Sequence, residues 1–175
     1  MARIGVISIS DGRDYVHQGI AEHIKVNEDR LVRSLSVAGH DVVAGSRQVS
    51  DNGLAVSVSR EVAAAGVDLT ILHYAVWAFP HFTMLAAAAT PSPLVLVSTI
   101  DPVQPGLVGM LAAGGALDQI GRGARPAVGR HRRPRPDQRD RSARDRGVSR
   151  GGVARLDLRQ GWWPADGDEH RGGQY

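Results

Sequence analysis

The stretch "VDLTILHYA" (residues 67–75) decides the fold. It is nearly continuous in apolar residues, whereas a strand with one face in water alternates apolar and polar residues. The segment "PLVLVSTI" (93–100) has the same character. Strands that are buried on both faces are typical of parallel sheets covered by helices on both sides. These two segments therefore predict an α/β domain.

The segments around these two strands complete a regular alternation. "RIGVISIS" (3–10) and "HDVVAGS" (40–46) are predicted to be two further strands. Helices are predicted from Tyr15 to Val37 and over residues 52–66, 80–90 and 104–121, with Asp51 as an N-cap and Pro80 in a first turn. The order β-α-β-α-β-α-β-α predicts a Rossmann/flavodoxin-like parallel sheet flanked by helices, with right-handed crossovers.

The composition changes after Gly121. Residues 1–121 contain seven Lys and Arg against eleven Asp and Glu, whereas residues 122–175 contain fourteen Arg against seven acidic residues. The second segment has few aliphatic residues and no strand or helix period, so it cannot bury enough apolar surface to offset its ordering entropy. We therefore predict an α/β domain over residues 1–121 and a disordered arginine-rich tail over residues 122–175.

The remaining composition narrows the cellular setting. The chain has no cysteine, which excludes disulfides and thiolate metal sites and fits a reducing compartment. Its N-terminus does not resemble a secretory signal, and its longest apolar segment is shorter than the roughly 20 residues that span a bilayer. We therefore expect a cytoplasmic protein without membrane contact.

Two loop residues are candidates for ligand binding, because ligands of open α/β sheets bind at the carboxyl ends of the strands. Arg13 follows the first strand, and its forked donors suit hydroxyls, carboxylates or phosphates. Trp77, with Phe79 beside it, follows the third strand and could stack on a sugar or another ring. The alternatives are a solvated arginine for Arg13 and a packing or interface role for Trp77.

Other chemistries lack their motifs. The histidines His17, His23, His73 and His81 do not have the spacing of metal ligands. No G-x-S-x-G, G-x-G-x-x-G or P-loop sequence occurs, so a hydrolase triad, a dinucleotide site or a P-loop enzyme has no support. The segment "GLVGMLAAGG" (106–115) is interpreted as a closely packed helix.

The loops resemble a known family when they are taken in order. "IGVISISDGRDYVHQ", "YAVWAFPHFTMLAA" and "QPGLVGMLAAGGALDQIG" resemble the N-terminal region of the L-fucose isomerase family over residues 3–121. "DGR" after the first strand is the most specific part, followed by the Trp after the third strand.

The resemblance implies an aldose–ketose isomerase such as one that interconverts L-fucose and L-fuculose. It implies a hexamer and a Mn²⁺ ion that holds two sugar oxygens, with ligands from later domains that this chain does not contain. By resemblance, Arg13 and Trp77 contact the sugar in a neighbouring subunit's active site. We therefore expect no catalytic residue, metal ligand or cofactor in this chain, and either homo-oligomers or assembly with full-length isomerase subunits.

The arginine-rich segment "VGRHRRPRPDQRDRSARDRG" (128–147) contains eight Arg and no Lys. Translated back with GC-rich codons and read from the second base, "VGRHRRP" gives Trp-Gly-Asp-Ile-Asp-Asp, which resembles the family's next segment. Residues 156–175 in the same frame can give a glycine- and methionine-rich segment of the family. Because CGN codons encode Arg, these matches indicate a frameshift at about residues 121–127 and a truncated chain.

The sequence thus predicts an isomerase fragment that is inactive alone. The alternative is a stand-alone α/β binding module whose arginine-rich arm binds nucleic acid by releasing counterions. The interleaved acidic residues argue against nucleic acid. A third possibility is a fragment that assembles with full-length isomerase subunits.

Overall fold

The computed structural model describes residues 1–129 of the chain. The predicted disorder of the tail falls mostly on residues 130–175, which lie outside the described residues. No helix within residues 1–129 has the length and apolar character that a membrane crossing requires.

Strands and helices alternate through the described chain. The elements are β1 (Arg3–Ser8), α1 (Asp14–Val37), β2 (Asp41–Ala44), α2 (Asn52–Ala64), β3 (Leu69–Tyr74), α3 (Pro80–Ala89), β4 (Leu94–Thr99), α4 (Gly106–Gln119) and β5 (Ala124–Gly129). All neighbouring strands pair in parallel, in the order β2-β1-β3-β4-β5. This order is the flavodoxin-like arrangement of a doubly wound sheet, and it confirms the predicted fold class.

The helix ends follow the signals in the sequence. Asp51 caps α2, because its Oδ1 accepts a hydrogen bond of 2.7 Å from the Leu54 N–H. Pro80 occupies the first turn of α3, where its missing N–H has no helical partner to lose. Gly39 and Gly66 follow the last residues of α1 and α2 with φ angles of +88° and +69°, a conformation that glycine adopts without strain.

The fifth strand lies beyond residue 121, where the predicted α/β domain ends. Ala124–Gly129 pairs with β4 along its whole length, from Leu94 opposite Ala124 to Thr99 opposite Gly129. The sequence analysis had assigned these residues to the tail that begins at residue 122. The strand escaped prediction because "ARPAVG" contains proline and arginine, which an edge strand tolerates since only one side of its backbone is paired.

The two faces of the sheet are covered unequally. Helices α2, α3 and α4 pack on one face around Ile7, Leu72 and Leu96, which are all fully or almost fully buried. Helix α1 packs on the other face through Leu35, against Ile4, Val6 and Ile71. Both faces of the central strands β1 and β3 are therefore buried, as their continuous apolar sequences predict.

Candidate functional site at the switch point of the sheet

The loops after β1 and β3 lie side by side at the carboxyl edge of the sheet. Strand β1 is followed by β2 on one side of it in the sheet, and the chain then crosses to form β3 on the opposite side of β1. The crevice at such a switch point is the usual ligand site of open α/β sheets. Just beyond β1, the Ile9 N–H donates to the carbonyl of His73 at 2.9 Å, which holds the start of the first loop against the end of β3.

The loop after β1 is built around a buried carboxylate. Both oxygens of Asp11 accept from the Arg13 guanidinium, Oδ1 from Nε at 2.9 Å and Oδ2 from Nη2 at 2.7 Å. Oδ1 also accepts from the backbone N–H of Arg13 at 2.9 Å. Gly12 lies between them against Phe82, and a Cβ at this glycine would come within 2.5 Å of the Phe82 ring. The loop therefore needs both its acid and its glycine.

This geometry fixes the charges of the pair. The side-chain hydrogen bond from Arg13 lowers the pKa of Asp11 below its ordinary value of 3.8. The same bond raises the pKa of Arg13 above its ordinary value. Charge-assisted bidentate bonds of this kind are strong and directional. Arg13 is thus a permanently charged side chain held in one orientation, although half of its surface is exposed.

The loop after β3 carries Trp77 on a buried frame. Ala75, Val76 and Ala78 are each about 1% exposed, whereas Trp77 is only partly buried. The Trp77 ring meets Phe79 edge to face, with ring centroids 4.5 Å apart. Such a T-shaped pair is a favoured aromatic geometry, so the orientation of Trp77 is set by its own loop.

Helix α4 packs closely against the loop after β3 at Gly109. A Cβ at Gly109 would lie 2.9 Å from the backbone N of Ala78 and 3.2 Å from the Cα of Trp77. The small residues of "GLVGMLAAGG" therefore permit close packing, as the sequence analysis interpreted them.

Arg13 and Trp77, the two candidate residues, lie next to each other. The guanidinium carbon of Arg13 is 5.9 Å from the centroid of the Trp77 ring and 5.8 Å from that of Tyr15. Both distances are within the range of cation–π attraction. A guanidinium has five N–H donors, and Asp11 takes only two of those on the Arg13 side chain. The arrangement presents an aromatic ring beside N–H donors, which suits a small molecule with an apolar face and several hydroxyls.

The four histidines do not come together. His17 Nδ1 lies 2.7 Å from Ser10 Oγ, and His73 Nδ1 lies 3.0 Å from Ser8 Oγ in the buried sheet. His23 is near Asn27 and 3.9 Å from Asp101, and His81 packs on Phe82. Within residues 1–129, no group of three His, Asp or Glu side chains could hold a metal ion. The described residues therefore do not fit the Mn²⁺ ion that the resemblance implies.

The sequence analysis missed Asp11 and Tyr15 as parts of the site. The signal for Asp11 was the D-x-R spacing of "DGR", since a carboxylate two residues before an arginine in a turn can reach its guanidinium. Tyr15 carried no comparable signal, because nothing in the sequence indicates that this exposed ring lies beside Arg13.

The fold and this site together define a flavodoxin-like α/β domain with an arginine–aromatic pair at its switch point. In open α/β sheets of this class, ligands bind in the crevice at that edge. Residues 1–145 match the family model described as L-fucose isomerase, first N-terminal domain. The chain belongs to this family. No curated protein matches the sequence.

Proposed function

We propose that this chain supplies Arg13 and Trp77 as sugar-contacting residues of an aldose–ketose isomerase of the L-fucose isomerase type. One observation carries the proposal: the Arg13 guanidinium lies 5.9 Å from the Trp77 ring at the switch point of the sheet. The family match supports an aldose such as L-fucose as the substrate.

The two side chains would divide the recognition of the sugar between them. The Trp77 ring would pack on the C–H face of the pyranose or open-chain sugar. The N–H groups of Arg13 that Asp11 leaves available would donate to sugar hydroxyls. Asp11 orients Arg13, and its low pKa and its three hydrogen bonds from Arg13 make it a poor proton acceptor.

Proton transfer and metal binding belong to another part of the enzyme in this proposal. In an aldose–ketose isomerisation, a metal ion supplies stabilisation of the developing enediolate, and a base moves a proton between adjacent carbons. The sugar would bind between Arg13 and Trp77 of one subunit and the catalytic groups of its neighbour. We therefore propose that the chain alone does not isomerise sugars.

A binding experiment tests the sugar contact. The ¹H–¹⁵N spectrum of the full chain is titrated with L-fucose and with L-fuculose, and the indole N–H of Trp77 is followed. We expect saturable shifts at Trp77 and in residues 10–14 of the parent chain, and both Trp77→Leu and Arg13→Gln should weaken the shifts of residues 10–12. Arg33→Gln, an exposed arginine of α1, is the matched control. Shifts that are identical in all three variants would refute the contact.

Activity and assembly are tested separately. A coupled ketose assay with Mn²⁺ should show no turnover by the purified chain, and robust turnover would overturn that part of the proposal. Mixing with full-length isomerase subunits and then purifying a tag on either partner would reveal assembly, and sedimentation of the chain alone would reveal homo-oligomers.

We also propose that the arginine-rich segment results from a frameshift at about residues 121–127. The back-translated segments support this proposal. The family match runs past that junction to residue 145 and so does not favour it. β5 lies across the junction, but a strand pairs through its backbone and accepts different side chains. Sequencing the gene over codons 115–135 decides the matter, since an intact frame would exclude the shift.

The nucleic-acid-binding module is the rival function. It depends on arginines that lie mostly outside the described residues. Salt-dependent DNA or RNA binding that is lost on removal of residues 122–175 would favour it over the isomerase fragment.

A further inference from the structure

A second polar cleft lies on the other side of the β1 loop. It is formed by helix α1 and by the chain between β2 and α2, residues 45–50, and has a volume of about 310 Å³. Volumes of this size are at the lower end for sites that hold small molecules. His17 lines the cleft, and its backbone N–H donates to the carbonyl of Arg13 at 2.9 Å. The cleft is therefore adjacent to the Arg13–Trp77 pair but made of different side chains.

Gln48 gives the first indication of a ligand. Its Nε2 donates to the carbonyl of Ala21 at 2.8 Å, which fixes the side-chain amide against α1. Its Oε1 is buried and has no hydrogen-bond partner within the described residues. A buried acceptor without a partner destabilises the folded chain, and a donor from a bound molecule would remove that penalty. A sugar hydroxyl is such a donor.

Arg47 gives the second indication. It lines the same cleft, is exposed, and makes no hydrogen bond or ion pair to any described residue. Lys25, across the cleft, is in contrast neutralised by Glu28 at 3.2 Å and Asp29 at 2.9 Å. The guanidinium of Arg47 is thus the cationic group of the cleft that remains available, and its fork matches a phosphate or a carboxylate.

We propose that this cleft binds a small polyol with one anionic group, a sugar phosphate or a sugar acid. Arg47 takes the anion, Gln48 Oε1 accepts from a hydroxyl, and His17 and Ser50 offer further polar contacts to the polyol. The site is separate from the one proposed for the isomerised sugar and does not depend on it.

A titration of the full chain with three probes tests this proposal. Glucose 6-phosphate and gluconate carry the two kinds of anion, and sorbitol carries hydroxyls alone. We expect the two anions to shift the backbone amides of residues 45–50 and the side-chain amide of Gln48 in ¹H–¹⁵N spectra, with sorbitol at least tenfold weaker. The stronger of the two anions identifies the anionic group.

Variants separate this site from general charge attraction. Arg47→Gln should weaken anion binding about tenfold or more, as expected for the loss of a charge-assisted bond, and Arg47→Glu should abolish it. Both variants should fold, because the Arg47 side chain is exposed and makes no hydrogen bond or ion pair to a described residue. Arg33→Gln removes an equal charge from α1, outside the cleft, and Trp77→Leu alters the neighbouring site, so neither should affect anion binding. Equal binding of sorbitol, or equal loss in Arg33→Gln and Arg47→Gln, would overturn the proposal.

Discussion

Asp11 holds Arg13 through both carboxylate oxygens, at 2.9 Å to Nε and 2.7 Å to Nη2. The acid is buried and the arginine is half exposed, so the pair connects the interior to the carboxyl edge of the sheet. A loop arginine normally samples many rotamers, and ordering it on binding costs free energy. Because Asp11 already orders Arg13 in the folded chain, binding a ligand does not require this loss of side-chain entropy.

Asp11→Asn should therefore weaken sugar binding without removing any sugar contact. The amide can accept from Arg13 with one oxygen only, and its N–H₂ group opposes the other guanidinium nitrogen. We expect the Arg13 Nε–H resonance to move toward its free value and the affinity for L-fucose to fall several-fold. Asp14→Asn, at the exposed next acid in the chain, should change neither measurement. An unchanged Arg13 resonance in Asp11→Asn would show that the carboxylate does not position it.

Gly109→Ala in α4 should disturb the packing of this helix against the loop that carries Trp77. The new Cβ would stand 2.9 Å from the backbone N of Ala78, so helix or loop must move. Overpacking of this kind costs about 1–3 kcal/mol of unfolding free energy. Gly115→Ala in the same helix meets nothing within 4 Å and should stabilise by about 0.5–1 kcal/mol through helix propensity. Urea unfolding of both variants checks the opposite signs.

The sequence predicted the fold well because the signals of its elements are local. Continuous apolar runs identify β3 and β4, and Asp51 and Pro80 mark helix starts that the structure confirms. β5 carries no such signal. It is a strand because the edge of β4 offers unpaired backbone groups at the right register, and this is a tertiary effect that "ARPAVG" does not encode by itself.

The site was only partly predictable for a related reason. Arg13 and Trp77 could be placed at one edge because each follows a strand of a parallel sheet. Their 5.9 Å approach depends on β1 and β3 being neighbours, and the sequence does not state the strand order. The cleft beside Gln48 depends on the packing of α1 against the chain after β2, and no sequence pattern indicates that packing.

The stability of the domain should fall between pH 6.5 and pH 4 because of His73. Burial, and secondarily the charge of His23, lowers the pKa of His73 from 6.5 to about 4. In this range the unfolded chain takes up a proton at this histidine and the folded chain does not, so the contribution present above pH 6.5 is lost as the pH falls toward 4. The loss amounts to about 3 kcal/mol in total.

His73→Gln should remove this part of the pH dependence. Urea unfolding at a series of pH values gives the slope of the unfolding free energy against pH. Between pH 6.5 and 4, this slope should correspond to the uptake of up to one proton fewer on unfolding than in the parent chain. His81→Gln, at an exposed histidine, is the matched control and should keep the slope of the parent chain. A parent-like slope in His73→Gln would mean that other groups cause the loss.

Tyr74 and Thr83 form a buried hydrogen bond, and removing one of its two hydroxyls should lower the unfolding free energy. Tyr74 Oη and Thr83 Oγ1 are 2.6 Å apart, and both residues are fully buried between β3 and α3. Burial raises the pKa of Tyr74, so its hydroxyl stays neutral and can donate.

Tyr74→Phe leaves the threonine hydroxyl unpaired and should lower the unfolding free energy by about 1–3 kcal/mol. The double variant Tyr74→Phe/Thr83→Val replaces both hydroxyls with apolar groups and should recover much of that loss. Urea unfolding of the single and double variants gives the coupling energy, and strictly additive losses would show that the two hydroxyls act independently.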